Sequence, residues 1–406
     1  MIRTVTLVGV LIIGSLTFGG CGGDGGEQAT PSNGKETRSA ADWREEARNS
    51  MSRAVSWLRS HANPEGLWAF APGQPPSVGI TGLATLAILK AEGRKAVPDL
   101  KRALDWLASK QHEDGSIHQG QLATYSTSIA VLALKESRVE SYGPVISKAM
   151  DYLRQVQLDE EEGYQRDSDY YGGIGYEKKK DDPTKPNPNL STTAWALEAA
   201  RAAGLPKDDP FFKKALIFIQ RTQNLSETND RVHEEGGVKV VPGNDGGAIY
   251  QPWASKAGIQ ELPGGRRIYR SYGSMTYALL KSYIFCDLDP RDPRVRAAVK
   301  WLEKNWSVET NPGMEHLDEE NSAYRGLFYY WVTLSRALRV SEKRNLDFAG
   351  TPMAHWRRDL ARAVVRAQKE DGSFVNQKNG AWWESSPILA TAYATLVLSE
   401  CLADGE

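Results

Sequence analysis

The segment Ala103-Leu-Asp-Trp-Leu-Ala-Ser-Lys-Gln-His-Glu-Asp-Gly-Ser116 contains the unit from which the chain is built. Leu104 and Leu107 recur at helical spacing, which predicts one apolar helix face. Asp114-Gly115 is a turn dipeptide, because glycine adopts a positive φ without steric cost. A second helix is predicted over residues 125–134, where almost every residue is apolar. One unit is therefore an amphipathic helix, a turn and a helix buried on all sides.

The same unit recurs along the chain, which predicts a repeat architecture. The other amphipathic helices are predicted to open at 54–58, 149–153, 215–219, 298–302 and 360–368. The buried helices are predicted at 79–89, 125–134, 190–203, 272–285, 327–338 and 387–402. Six pairs are enough to close a ring. We therefore predict an all-α fold, an α/α toroid of six inner and six outer helices, with long loops in units three and four. An open helical solenoid shares the local pattern and is the alternative.

Repeats of the form A-x-x-W-L-x-x-x-Q-x-x-D-G-S, as in residues 103–116, resemble those of the prenyltransferase and squalene-cyclase superfamily. The resemblance covers about residue 45 to the C-terminus and implies the α/α toroid of that superfamily. Within it, the phrase Ser271-Tyr-Gly-Ser-Met-Thr-Tyr277 resembles that of bacterial repeat proteins. Toroids support several chemistries, so the resemblance specifies the fold better than the activity.

The N-terminus predicts secretion and a lipid anchor. An apolar run over residues 5–18 is typical of a signal peptide, predicted as residues 1–20. Phe18-Gly-Gly20 before Cys21 resembles a bacterial lipoprotein cleavage site, which would make Cys21 the lipid attachment residue. Residues 21–44 are predicted to be a flexible tether and 45–406 the toroid. The protein is then expected in the bacterial cell envelope, facing the periplasm; a plain secretory signal is the alternative.

The charge pattern does not predict a nucleic-acid surface. The net charge is −1, and Lys and Arg are dispersed along all 406 residues. The predicted partners are an apolar or isoprenoid small molecule and, through the anchor, the membrane. No cofactor is predicted.

Three acids are candidate catalytic residues. Asp245 precedes the fourth inner helix, although Asn-Asp-Gly also favours a plain turn. Glu315 stands beside His316, an acid–imidazole pair suited to proton transfer, and an ordinary polar loop is the alternative. Glu384 follows two indoles, a setting that raises a carboxyl pKa by desolvation. The serines after Glu384 are predicted caps for the sixth inner helix.

Aromatic residues near the inner helices predict a central cavity. Aromatic walls with few acids suit an isoprenoid or a carbocation held by ring faces, and they equally suit stacking on sugar rings. The predicted cavity residues are Tyr272, Tyr277, Tyr329, Tyr330, Trp382, Trp383 and Tyr393.

The motifs that carry the superfamily's known chemistry are missing from the sequence. Class II terpene cyclases use an Asp-x-Asp-Asp acid, and no such tetrad occurs in the chain. Protein prenyltransferases bind zinc through an Asp, a Cys two residues later and a distant His. Cys286-Asp287 reverses that order and has no suitably placed His, so no metal site is predicted.

The leading hypothesis is an envelope-anchored, terpenoid-cyclase-like protein whose aromatic cavity binds an apolar or isoprenoid ligand, with or without the family's chemistry. A cyclase or transferase that uses one of the three acids is the second. A carbohydrate-active toroid, either a glycosidase or a lyase, is the third, and a protein-binding scaffold is the fourth.

Overall fold

A computed structural model describes residues 34–176 and 187–403, with side chains from residue 43 onward. Twelve α-helices alternate between two classes in this part of the chain. The outer helices are α1 (Gly34–Ser60), α3 (Val97–Ser109), α5 (Gly143–Gln155), α7 (Pro210–Gln220), α9 (Pro293–Lys304) and α11 (Trp356–Ala367). The inner helices are α2 (Val78–Glu92), α4 (Ala123–Glu136), α6 (Leu190–Ala203), α8 (Gly273–Phe285), α10 (Leu327–Glu342) and α12 (Pro387–Leu402).

Burial separates the two classes as the sequence predicts. Helix α3 buries one face, at Leu100, Ala103, Leu104 and Leu107. By contrast, α8 buries every residue from Gly273 to Ile284. A helix that is apolar on all sides needs neighbours on all sides, and a position between an outer layer and a shared axis supplies them.

The inner helices form a closed ring. Each packs on the inner helices before and after it in sequence, and α12 packs on α2. The prediction of a helical α/α toroid is therefore confirmed, and the contact between α12 and α2 excludes an open solenoid. Helix α1 begins within the predicted tether, at Gly34. Residues 1–33, which include Cys21, lie outside the described residues.

A glutamine at the end of four outer helices joins each to the next outer helix. Its side-chain amide donates to two carbonyls, one in the following turn and one in the neighbouring outer helix. For Gln157 these acceptors are Gly172, at 3.1 Å, and Phe211 of α7, at 3.0 Å. The same pair of bonds is made by Gln111, Gln223 and Gln368.

The glycine in the turn after the outer helix is required for the same contact with the next outer helix. Gly172 has a φ of +80°, and a Cβ on it would lie 1.9 Å from the carbonyl oxygen of Lys214. Gly115 and Gly246 approach the next outer helix in the same way. The glycine of the repeat signature thus serves packing between units as well as the turn.

The long insertion of unit four holds a small sheet that the sequence does not predict. Strands β1 (His233–Glu235), β2 (Val238–Val240), β3 (Ile259–Leu262) and β4 (Arg266–Tyr269) pair in the order β1-β2-β4-β3. The β2–β4 pair is parallel and the other two are antiparallel. Within the described ranges, no helix is long and apolar enough to cross a membrane.

Candidate functional site

Aromatic and hydroxyl side chains meet on the ring axis near the N-terminal ends of the inner helices. The hydroxyl of Tyr329, on α10, lies 2.7 Å from the hydroxyl of Ser191, on α6. The ring of Tyr329 is 6.3 Å from that of Tyr393, on α12. Tyr125, on α4, lies 5.5 Å from Trp195 between ring centroids. Four inner helices therefore contribute to one cluster.

Some residues of this cluster keep accessible surface although they lie deep in the ring. Tyr329 is 9% exposed, Ser191 7% and Tyr393 6%, whereas Tyr330, the next residue of α10, is fully buried. Tyr125 is more accessible still and counts as half-buried. We call the space that these residues and Trp195 surround the axial recess.

The recess presents neutral hydroxyls. Burial raises the pKa of Tyr125 well above its ordinary value of 10, and it raises the pKa of Tyr329 and Tyr393 as well. Desolvation opposes the charged phenolate, so all three remain protonated at physiological pH. Apolar ring faces with a few hydroxyl groups are the lining expected of a small-molecule site.

Further tyrosine and tryptophan side chains lie at the N-terminal ends of the inner helices, the side on which we place the entrance to the axial recess. The hydroxyls of Tyr176 and Tyr250 lie 2.5 Å apart. Trp383 is exposed and meets the ring of Phe70 edge-on at 5.3 Å. The ring of Trp382 packs on Gly326, where an added Cβ would lie 2.2 Å away.

The two tryptophans have an unusual backbone. Trp382 has a φ of +54° and Trp383 a φ of +67°. Non-glycine residues in this region carry a conformational cost, and two in succession require support from their surroundings. Such positions are enriched at binding sites, which makes this segment part of the candidate site.

The structure places five of the seven predicted cavity residues at or near the axial recess and two away from it. Tyr329 and Tyr393 line the axial recess, Trp382 and Trp383 lie at its entrance, and Tyr272 is buried close to Tyr329. Two others turn away from the axis toward the outer layer. The hydroxyl of Tyr330 donates to the carbonyl of Ser307 at 2.6 Å, and that of Tyr277 lies 3.9 Å from the sulfur of Met353.

Asp245 lies in the loop between β2 and β3. Its carboxylate accepts from the backbone N–H of Gly247 at 2.9 Å and from the hydroxyl of Ser271 at 2.8 Å. Burial raises the pKa of Asp245 above its ordinary value. The neighbouring Gly246 packs against α9, so this acid belongs to the junction between units four and five rather than to the recess.

Glu315 is half exposed, in a short 3₁₀ segment at Met314–His316. It accepts a 2.7 Å bond from the N–H of Gly313 and lies 3.6 Å from the imidazole of His316. The predicted acid–imidazole pair is therefore adjacent in space. No contact between this pair and the recess residues is seen in the described part of the chain.

Glu384 is fully buried at the start of α10. Its carboxylate accepts from the backbone N–H of Tyr329 at 2.8 Å and from the side chain of Asn376 at 2.8 Å. It also lies close enough to Tyr393 to raise the pKa of that phenol. Burial raises the pKa of Glu384 to about 7, as the tryptophan neighbours predict. The acid caps α10, whereas Ser386, at the N-cap position of α12, makes no side-chain cap bond and donates to the carbonyl of Phe70 instead, so the predicted serine cap is wrong.

Sequence reasoning missed three members of the recess, Tyr125, Ser191 and Trp195. It also missed a charged cluster farther along the same axis, where Lys281 and Arg336 both approach Glu198. Charged residues inside a helix that is otherwise apolar were the available signal for this second group. No cluster of His, Cys, Asp and Glu suited to a metal ion occurs in residues 43–176 or 187–403.

The sequence and the fold are both similar to those of known terpenoid cyclases. Residues 71–239 match the family model described as the squalene-hopene cyclase C-terminal domain. The chain is 27% identical over 224 residues to the squalene–hopene cyclase of Zymomonas mobilis. That match covers 50% of this chain and 33% of the relative, so the chain spans about a third of the curated protein it matches.

Solved structures share the fold at low identity. The type II terpene cyclase MstE from Scytonema, in a variant bound to geranylgeranyl dihydroxybenzoate, gives a TM-score of 0.53 at 13% identity over 89% of this chain and 99% of that one. A protein from Actinoplanes gives 0.53 at 14% identity over 88% and 100%. The predicted resemblance to the prenyltransferase and squalene-cyclase superfamily is thereby confirmed.

Proposed function

We propose that the protein binds an apolar, isoprenoid-like molecule in the axial recess. The observation that carries this proposal is the cluster of aromatic rings around Tyr329, in which Tyr125 is half-buried and Tyr329 and Tyr393 keep a small accessible fraction. A surface that is accessible, aromatic and uncharged favours ligands that lose little by leaving water.

The structural relatives support the class of ligand. One MstE variant from Scytonema is bound to geranylgeranyl dihydroxybenzoate as substrate, and another is bound to merosterolic acid A as product. Both ligands join a hydrocarbon to a polar group. In the present chain, the hydroxyls of Ser191 and Tyr329 would meet the polar group, and Trp382 and Trp383 would contact the hydrocarbon.

The first test compares two isoprenoid probes, geranylgeraniol and squalene, by isothermal titration of the full chain in detergent. The Tyr329→Phe variant removes a hydroxyl from the recess. We expect it to weaken geranylgeraniol binding by about fivefold, the value of one hydrogen bond, and to leave squalene binding unchanged.

Tyr330→Phe is the matched control, because it removes the same hydroxyl from the next residue, which faces the outer layer. We expect wild-type affinity for both probes in this variant. A wild-type protein that binds neither geranylgeraniol nor squalene would refute the proposal and favour the carbohydrate-active or scaffold alternatives.

A second candidate function is catalysis with Glu384 as the acid. Its support is a carboxyl whose pKa is raised to about 7 close to Tyr393 of the recess. A pKa near the working pH suits a general acid. The test is incubation of the protein with squalene, followed by mass spectrometry for cyclised products. Product that forms with the wild type and not with Glu384→Gln would support catalysis.

We also propose that Cys21 carries a lipid that holds the protein in the bacterial envelope, on the sequence pattern alone. The test is metabolic labelling with an alkyne fatty acid in a bacterial host. Label on the wild type and not on Cys21→Ser would support the anchor, and equal label on both would refute it.

A further inference from the structure

A second pocket, of about 280 Å³, lies at the opposite end of the ring axis from the axial recess. Every inner helix contributes to it from its C-terminal half. Its lining includes Lys90, Glu136, Arg201, Phe285, Arg336 and Glu400. We call this space the charged pocket.

Trp195 separates the charged pocket from the recess. Ser191, Trp195 and Glu198 follow one another along one face of α6 at spacings of four and three residues. Ser191 therefore belongs to the recess and Glu198 to the pocket, with the indole between them. The two sites are distinct and can be tested independently.

The base of the pocket holds more buried positive charge than negative. Lys281 Nζ lies 2.5 Å from Glu198 Oε2, and Arg336 Nη1 lies 3.0 Å from Glu198 Oε1. Both cations are buried, and both lie within 5.3 Å of the centroid of the Trp195 ring. Two buried cations thus share one carboxylate, and an uncompensated buried charge is costly.

The other acids of the pocket already have partners. Glu400 pairs with Arg339 at 3.2 Å, and Glu136 pairs with Lys90 at 2.5 Å. Each of these carboxylates already pairs with one cation, and Glu400 acts on Lys281 only as a weaker electrostatic neighbour.

The guanidinium of Arg336 has unused hydrogen-bonding capacity. Its side chain is only 4% exposed, and it lines the pocket. Its Nε and Nη1 atoms make no hydrogen bond within the described part of the chain, although Nη1 lies near Glu198. Buried polar atoms are almost always bonded, and Nη1 already has its ion pair with Glu198, so the unbonded Nε–H beside the cavity leaves room for an acceptor.

The helix termini do not account for this excess of cations. Cations in the last turn of a helix offset the partial negative charge of its terminal carbonyls, which explains Lys90, Lys135 and Arg201. Lys281 and Arg336 lie more than one turn before the ends of α8 and α10. Glu198 balances one of the two charges, and burial beside Arg336 lowers the pKa of Lys281, so a further negative charge would favour the protonated amine.

We propose that the charged pocket binds a small oxyanion, a carboxylate or a phosphate, through Arg336, with Lys281 as the supporting charge. Guanidinium N–H groups match the oxygen pair of either anion. At the rim, Lys135 and Arg201 add positive charge that draws an anion in from solvent. The small volume of the pocket excludes polymers and sets a metabolite-sized limit.

The test uses the full chain with inorganic phosphate and with succinate, each compared with sodium chloride at matched ionic strength. We expect one of the two anions to bind at one site per chain by isothermal titration and to raise the thermal midpoint. The anion that binds identifies the chemistry as phosphate or carboxylate. We expect Arg336→Gln to weaken that binding by about tenfold to a hundredfold.

Arg291→Gln is the control, because it removes a cation that is exposed at the surface and should retain wild-type affinity. If Arg336→Gln does not fold, Lys135→Gln at the exposed rim replaces it, with an expected loss of about threefold that disappears at high salt. The proposal is overturned if neither anion binds beyond the chloride control, or if the folded variants bind as tightly as the wild type. Binding of squalene or geranylgeraniol in the recess has no bearing on either result.

Discussion

The side-chain amide of Gln368 donates a 2.9 Å hydrogen bond to the backbone carbonyl of Ser50, which lies 318 residues earlier in the chain. It is the sixth-unit counterpart of the bonds that join the third unit to the fourth through Gln157. The same type of junction that links consecutive repeats therefore also links the last repeat to the first.

Close packing of the turn glycine against the next outer helix predicts a large cost for any side chain there. Gly172→Ala would place a Cβ 1.9 Å from a backbone carbonyl, in addition to the strain of a positive φ. We expect a loss of about 3 kcal/mol or more in the free energy of unfolding, measured by urea denaturation.

Gly204→Ala is the control for that experiment. Gly204 has a similar φ of +93° but no atom within 4 Å of an added Cβ. We expect a loss of only about 1 kcal/mol, from the backbone alone. Equal losses in the two variants would show that the contact with α7 contributes nothing.

The buried carboxyl of Glu384 predicts a pH-dependent stability. Its pKa rises from an ordinary 4.5 to about 7 in the folded protein. A raised pKa means that the folded state binds the proton more tightly than the unfolded state. The stability that this proton contributes is complete below pH 4.5 and is lost as the pH rises through 7. The loss amounts to about 3 kcal/mol.

Glu384→Gln removes the titration while keeping an oxygen for the N–H of Tyr329. We expect the difference in unfolding free energy between wild type and variant to change across this pH window, as measured by urea denaturation at its two ends. A constant difference would mean that the pKa of Glu384 is the same in the folded and unfolded states.

Because Lys281 and Arg336 share the carboxylate of Glu198, removing the carboxylate should cost more stability than removing one of the two cations. Glu198→Gln leaves Lys281 and Arg336 without a counter-charge, and we expect a loss of about 3–5 kcal/mol in low-salt buffer without phosphate or carboxylates. Lys281→Met leaves a balanced pair of Glu198 and Arg336. We expect it to cost at least about 2 kcal/mol less than Glu198→Gln. Similar losses would show that the two cations do not compete for the carboxylate.

Trp383 has a strained backbone at the recess entrance, so we expect its replacement to weaken ligand binding with little change in stability. Trp383→Asn places a residue that tolerates positive φ where an exposed indole stands, and it loses the edge contact with Phe70. We expect the relief of backbone strain and the loss of the ring contact to cancel within about 1 kcal/mol in the free energy of unfolding. Squalene binding should weaken by about fivefold. Unchanged squalene affinity would remove Trp383 from the site.

The repeat spacing was sufficient to predict the fold. The last inner helix, α12, begins at Pro387 and ends at Leu402, as the apolar pattern indicates. The sheet in unit four escaped prediction because its strands are three or four residues long, and only Val240 and two residues of β4 are buried. Such short strands do not establish an alternating pattern.

The candidate site was harder to predict than the fold. A helix buried on every side shows no amphipathic phase, so sequence alone cannot assign which face of α10 meets the axis. Tyr329 and Tyr330 were therefore equivalent in the sequence, although one lines the recess and the other bonds to Ser307. Glu384 was predicted to have a raised pKa, but its role as a cap needs a partner 55 residues away.

The hydrogen bond of Gln368 closes the ring, so the repeats of this chain differ from those of a linear repeat protein. Arrays with free ends fray from them, and their outermost copies are the weakest. A closed ring has no terminal repeat, so breaking the contact between any two adjacent repeats destabilises both of them. The guanidinium of Arg44 reaches the carbonyl of Leu402, which sets the two ends of the ring side by side. A circular permutation would join the two ends at this contact and open the chain in an exposed loop. It would keep every contact between adjacent repeats of the ring.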